Sequence, residues 1–296
     1  MKASNRHTHP RIPLYAIRTM SEKINATFDF VKENWRVWLR LSFYVLLPVS
    51  IIQGMGMNNI LSSLFNDGAT PYFGMAVTMF FSWIGISLDT ALVLVLLKWY
   101  DTHDDGLESV SFRIIWPDLR KYFWKTLLAW IAAPLLFIPG MLVSTAVSML
   151  IPVVLLLYVA AMLPILIIPP IYIYERLSYF KSVKKAFKMG YSRWGGLIGI
   201  VFSIWVTVFA LQGICTISWY LSLGLKAYLE GGSPEWSYAW KVFVDLMAYV
   251  MTIVQCFASY LGMAFVTFST TYHYTSVATE IDAATIDSEI EDFANI

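Results

Sequence analysis

The chain has 296 residues, a formal net charge of +1 and only 14% charged residues, while 58% are hydrophobic and the mean hydropathy is +0.61. Soluble domains average roughly 45–50% apolar and about 25% charged residues, so this balance favours lipid over water. The near-neutral charge gives no nucleic-acid footprint, and Cys215 and Cys256, both inside apolar runs, read as packed thiols rather than a disulfide framework.

Residues 1–13 read as a disordered basic N-terminus. Lys2, Arg6, Arg11, Arg18 and Lys23 stand in the first 23 residues without the apolar core of a signal peptide, and no lipidation motif is found. A membrane-crossing helix needs about 20 mainly apolar residues. Span 1 is expected over 37–56 and span 2 over 75–97. The stretch 122–174 carries no charge besides Lys125. As one helix it would be about 80 Å long, against a hydrocarbon core of about 30 Å. It therefore reads as a hairpin, span 3 over 122–146 and span 4 over 149–174. The turn falls between Ile138 and Pro152, with Pro139-Gly140 the strongest breaker, and Pro134, Pro164, Pro169 and Pro170 are candidate kinks. Span 5 is expected over 195–223 and span 6 over 242–268. Residues 14–274 form the membrane domain, and 275–296 an acidic tail, mobile or weakly helical, that could pair with the lysines near 181–188.

Segments flanking spans on the cytoplasmic side are enriched in Lys and Arg. With six spans, 19 of the 21 basic residues fall on one side and only Lys226 and Lys241 on the other. Both termini are then cytoplasmic. The tryptophans agree: Trp35, Trp38, Trp99, Trp116, Trp124 and Trp194 stand near the inner boundary and Trp219, Trp236 and Trp240 near the outer one. Trp83, Trp130 and Trp205 fall deeper and read as packing residues. The expected fold class is all-α: a polytopic membrane protein of six transmembrane helices with cytoplasmic interfacial amphipathic helices.

Each odd-numbered span follows a charged, aromatic segment ending in tryptophan: 30–36, 119–125 and 187–194. This suggests three parallel units, each an interfacial helix followed by a two-span hairpin; a basic, aromatic inner boundary common to membrane proteins is the alternative. In the first, Ile24, Phe28, Val31, Trp35 and Trp38 form one stripe of a 3.6-residue helix. In the third, Phe180, Val183, Phe187 and Gly190 share a face beside Lys181, Lys184, Lys185 and Lys188, which would meet anionic headgroups. In the second, Pro117 suits the first position of a short helix.

Asp89 lies nine positions before Lys98, about 13 Å inside the boundary. A carboxylate there costs about 2.5–3.5 kcal/mol on insertion scales, so it should face the bundle interior and carry a proton or a hydrogen bond to a neighbour. It is either a relay, cation or headgroup site, or a buried acid bonded to a carbonyl or glutamine. Asp245, near Lys241, suits local pairing. Gln53, Gln212 and Gln255 are candidates for interhelical hydrogen bonds, and with Asp89 and Asp245 they make up the candidate polar site. Gly195/Gly199 and Ala258/Gly262 mark close helix contacts, within the chain or between copies. His7 and His9 fall in the basic tail, His103 in a loop and His273 just past span 6. No metal-ligand spacing, nucleophile elbow or phosphate loop is present, so no metal, cofactor or catalytic residue is expected. Gly54-Met55-Gly56 reads as a helix end.

The run from Leu163-Pro164 to Ile173, then Glu175, Ser178, Val183-Lys184-Lys185-Ala186-Phe187, Gly190 and Trp194, resembles the hallmark of an uncharacterised six-span bacterial membrane family. That family includes the membrane domain fused to some glycerophosphoryl diester phosphodiesterases. The opening Phe28-Asp29-Phe30-Val31-Lys32-Glu33-Asn34-Trp35 and the closing Tyr272-His273-Tyr274-Thr275-Ser276-Val277 resemble stand-alone Bacteroidetes-type members. Ala186 departs from the serine frequent there. The resemblance implies a bacterial inner-membrane location; no soluble phosphodiesterase domain is present in this sequence, so that activity is not implied. The expected function is a non-enzymatic scaffold or accessory module for envelope or lipid processes. Its partners would be membrane lipids, through anionic headgroups at the cytoplasmic face, and a membrane protein or a second copy. The alternative is a transporter or lipid-handling protein with its polar site around Asp89.

Overall fold

The computed structural model describes residues 11–65, 71–135, 139, 151–231 and 237–294. All its principal elements are helices: α1 (Met20–Phe65), α2 (Tyr72–Thr102), α3 (Phe112–Ala129), α4 (Ile151–Leu166), α5 (Ile168–Tyr174), α6 (Tyr179–Ser192), α7 (Trp194–Gly231) and α8 (Tyr238–Ala294). Five segments among the described residues are long and apolar enough to cross a membrane: Met20–Leu61, Tyr72–Thr102, Ile151–Tyr174, Trp194–Leu229 and Tyr238–Ala284. This is the mark of a multi-pass membrane protein, and the five contain expected spans 1, 2, 5 and 6 and the described part of span 4, residues 151–174. Much of expected span 3, and most of the turn between Ile138 and Pro152, lies outside the described residues.

The described part of that stretch is not one straight helix. α3 starts at Phe112, so Pro117 sits inside it rather than at its first position. The helix ends at Ala129, and Ala133 N–H donates to Trp130 O over three residues. Pro134 explains the break: it has no N–H for the Trp130 carbonyl, and its ring crowds that oxygen. The same effect separates α4 from α5 at Ile167, where Pro169 and Pro170 cannot donate to Ile165 and Leu166.

Elsewhere helices run further than expected. α1 is one helix of 46 residues, so the expected first interfacial helix is continuous with span 1. Its stripe packs inward: Trp38 is buried and Ile24, Phe28 and Val31 pack on the core, while Trp35 stays exposed. Gly54-Met55-Gly56 is not a helix end; Gly56 is where α1 meets α2, and a Cβ on Gly74 would stand 2.6 Å from Gly56 O. Lipid chains are as apolar as leucine, so close backbone approach and packing, rather than expulsion of water, hold such helices together. Gly85 serves the same end on α2, since a Cβ there would overlap the Tyr260 ring of α8.

α8 continues without a break to Ala294, so the acidic segment is helical, one of the two forms expected for it. Residues 266–277 are buried on every side although they read Val-Thr-Phe-Ser-Thr-Thr-Tyr-His-Tyr-Thr-Ser-Val. Their hydroxyls fold back on their own helix: Ser269 and Thr270 donate to Val266 O, and Thr271 donates to Thr267 O at 2.7 Å. These hydroxyls are thereby satisfied without a partner helix, while Tyr274 and Ser276 reach out to Glu175 and Arg18. Phe268 and Tyr272 join Leu92, Leu96 and Phe30 in the largest apolar core of the bundle.

One end of the bundle is knitted by polar contacts; we call it the basic end. Residues 11–13, expected to be disordered, are held there: the Arg11 guanidinium donates to the carbonyls of Tyr100 and His103. Leu14 N–H donates to Asp101 at 3.1 Å, and Arg18 N–H to Ser276 Oγ at 3.0 Å. Burial and the nearby carboxylates of Asp101 and Glu175 push the Tyr15 phenol above its ordinary pKa.

Candidate functional site

The expected polar residues do not gather around Asp89. Asp89 is fully buried in α2, and neither carboxylate oxygen has a hydrogen-bond partner. It stands one turn from Gly85, on the face that meets α8, and within electrostatic range of Tyr260. The expected hydrogen bond to a glutamine or carbonyl is not formed.

The polar groups instead meet in a cleft of about 400 Å³ between α1, α2, α7 and α8. Gln53 sits at its centre: Nε2 donates to Ser82 Oγ at 2.7 Å, and Tyr260 O–H donates to Oε1 at 2.5 Å. Gln255 lines the same cleft and accepts from Thr216 at 3.3 Å. Trp219, expected at the outer boundary, is a wall of this cleft, its indole N–H bonded to Thr252 at 3.0 Å. Trp130 packs as expected and donates to Thr90, whereas Trp205, expected to pack, is 58% exposed. Asp89 is not part of the lining.

Gln212 lies apart. Its Nε2 donates to Ala258 O at 2.8 Å, in a space left by Gly262, whose Cβ would collide with that amide. The Ala258/Gly262 pair therefore serves a contact between α7 and α8 of one chain. Asp245 pairs with Lys226 of α7 at 3.2 Å instead of Lys241, and Lys226 also reaches Asn58 of α1 at 3.3 Å. This ties three helices at the end opposite the basic one. An ammonium that is only 3% exposed stays there because carboxylate and amide oxygens surround it.

The lysine helix α6 divides. Lys181, Lys184 and Lys188 are exposed, but Lys185 turns inward and bonds Glu175 at 2.6 and 2.7 Å. Tyr274 O–H donates to the same carboxylate at 2.6 Å. Ser182, Ala186, Met189 and Gly190 form the buried face. Phe180 is 82% exposed, while Val183 and Phe187 pack on the core, so the expected apolar stripe is shared between bundle and surroundings. A Cβ on Gly190 would stand 3.0 Å from Pro164. Pro164, Glu175, Lys185, Ala186 and Gly190 thus form one joint where α4, α5, α6 and α8 meet. Ala186 is fully buried in it, which accounts for a small residue there.

His273, expected just past the last span, is 4% exposed inside α8 with Nδ1 unpartnered. Ser82 and Tyr260 were not apparent from sequence. The available signal was helical spacing: Tyr260 lies four residues from Cys256 and five from Gln255, on a face that carries polar residues through an apolar run. No protein-family model, curated protein or solved structure matches the chain.

Proposed function

We propose that this chain is a non-enzymatic module of the bacterial inner membrane, a scaffold or accessory to envelope or lipid processes. It crosses the bilayer six times, with both termini cytoplasmic. The observation that carries this reading is the seating of Asp89, fully buried, outside the lining of the polar cleft and with no hydrogen-bond partner among the described residues. The joint at Glu175, Lys185 and Tyr274 adds to it, because the residues behind the family resemblance serve packing. Kinship with that six-span family is part of the proposal. Six crossings are supported by the basic end: residues 100–103, 175, 185 and 274–276 all meet there, so the stretch from 104 to 174 begins and ends on one side, as an even number of crossings requires. The three interfacial segments then lie on the cytoplasmic face, with Lys181, Lys184 and Lys188 of α6 turned toward anionic headgroups. The three-unit reading is compatible with this order, although the units differ in where their helices break.

The test is complementation of a deletion strain. Asp89→Asn should restore growth or envelope integrity fully, whereas neutralising Lys181, Lys184 and Lys188 together should not. A dead Asp89→Asn variant that still folds would sink the scaffold reading.

A second reading is favoured by the cleft: a lipid-handling protein whose polar site is Gln53, Ser82, Tyr260 and Gln255 rather than Asp89. Mild extraction would then co-purify a lipid lost from Gln53→Leu. Identical lipid content in both proteins would remove this reading.

A further inference from the structure

A second cleft, of about 300 Å³, lies at the basic end where α1, α7 and α8 converge. Lys23 of α1 lines it, is only 9% exposed, and has no side-chain hydrogen bond or ion pair among the described residues. The opposite charge facing it across the cleft is the Glu280 carboxylate, which also serves Arg193, so a further group that supplies oxygen atoms would complete the surroundings of this largely covered ammonium. Arg193 stands on the same wall, immediately before α7, and is bonded to Glu280 at 2.6 Å. The first intrahelical bond of α7 runs from Leu197 N–H to Arg193 O at 3.1 Å. The N–H groups of Trp194, Gly195 and Gly196 precede it, and no backbone carbonyl accepts from them. Gly195 leaves this start open, since a Cβ there would meet nothing within 4 Å. The buried His273 ring forms the floor, with Cε1 3.5 Å from where a Gly196 Cβ would stand.

We propose that this cleft binds a phosphate group, held by the Lys23 ammonium, the Arg193 guanidinium and the N–H groups that open α7. Start-of-helix amides and cations are the general recipe for phosphate recognition, and Arg193 suits two oxygens at once. Glu280 is the one carboxylate in the cleft, and it competes with the ligand for Arg193. The phosphate belongs either to a lipid headgroup reached from the membrane surface or to inorganic phosphate in solution. The site is distinct from the exposed lysines of α6 and does not depend on the scaffold reading.

The experiment uses the full-length protein in phosphatidylcholine nanodiscs, with inorganic phosphate titrated by calorimetry. In parallel, nanodiscs containing a minority of phosphatidic acid are prepared, and the lipid retained per protein is counted by native mass spectrometry. Binding in either arm is expected for the wild type; retention of lipid alone assigns the headgroup, and titration by phosphate alone assigns the free ion. Lys23→Gln should weaken binding by about tenfold, the loss of one charge-assisted contact. Lys32→Gln, which removes the same charge from the exposed side of the same helix, should bind like the wild type. Glu280→Gln should bind several-fold tighter, a gain that a misfolded protein cannot imitate. Absence of wild-type binding in both arms overturns the proposal. So does equal weakening by Lys23→Gln and Lys32→Gln, which would mean diffuse surface charge, or a Glu280→Gln protein that binds no tighter.

Discussion

The hydroxyl of Tyr260 lies 2.5 Å from Oε1 of Gln53, while the other end of that amide donates to Ser82. One side chain of α1 is thereby held by α2 and α8 together. Interhelical hydrogen bonds in membranes are worth on average about 0.6 kcal/mol, up to about 1.7. Tyr260→Phe and Gln53→Leu should each lower stability in that range, measured by thermal unfolding in detergent. Because the bonds share Gln53, the double variant should lose less than the sum of the two singles.

Gly85 gives a sharper test of the same contact. Gly85→Ala forces a methyl group into the Tyr260 ring and should cost about 1–3 kcal/mol through overpacking. Gly213→Ala on α7 meets nothing within 4 Å and should instead stabilise by up to about 1 kcal/mol through helix propensity. Opposite shifts in the unfolding midpoint are expected from the same chemical change.

Glu175 holds Lys185 and Tyr274 at once. Glu175→Gln keeps the shape but removes the charge from both hydrogen bonds, and should cost about 1–3 kcal/mol. Tyr274→Phe should cost less, about 0.5–1.5 kcal/mol, because it leaves the ion pair in place. Equal losses from the two variants would count against Glu175 as the shared acceptor.

Single cysteines, placed in a background without Cys215 and Cys256, test the six-crossing path. Asp104→Cys and Lys184→Cys should react from the same side of sealed vesicles, and Ser237→Cys from the other; all three positions are exposed. A five-crossing chain would put residues 104 and 184 on opposite sides.

The helices were legible because apolar runs have to match the thickness of a bilayer. Their ends were less so, and α8 explains why. Hydropathy falls after Phe268, which reads as the water boundary, yet the next nine residues are all buried. Threonine and serine hydroxyls bond their own helix, a cost hidden from any count that treats them as polar. The polar cleft was half legible: Gln53 and Gln255 stand out in apolar runs, but Tyr260 reads as one aromatic among many until Gly85 is seen to make room for it. Asp89 was legible as unusual, but its lack of a hydrogen-bond partner depends on side chains from other helices. Asp245 was paired in sequence with its near neighbour Lys241, while the fold brings Lys226 closer from α7.

The bond from Arg18 N–H to Ser276 joins residues 258 positions apart. The segment before α1 is synthesised well before its anchor on α8. The contacts of that segment with α2, through Arg11 and Leu14, need only the first two long helices, whereas the contact with Ser276 needs α8. The basic end therefore closes by two separate fastenings, one on α2 and one on α8, and a chain cut short before residue 276 keeps the first and lacks the second.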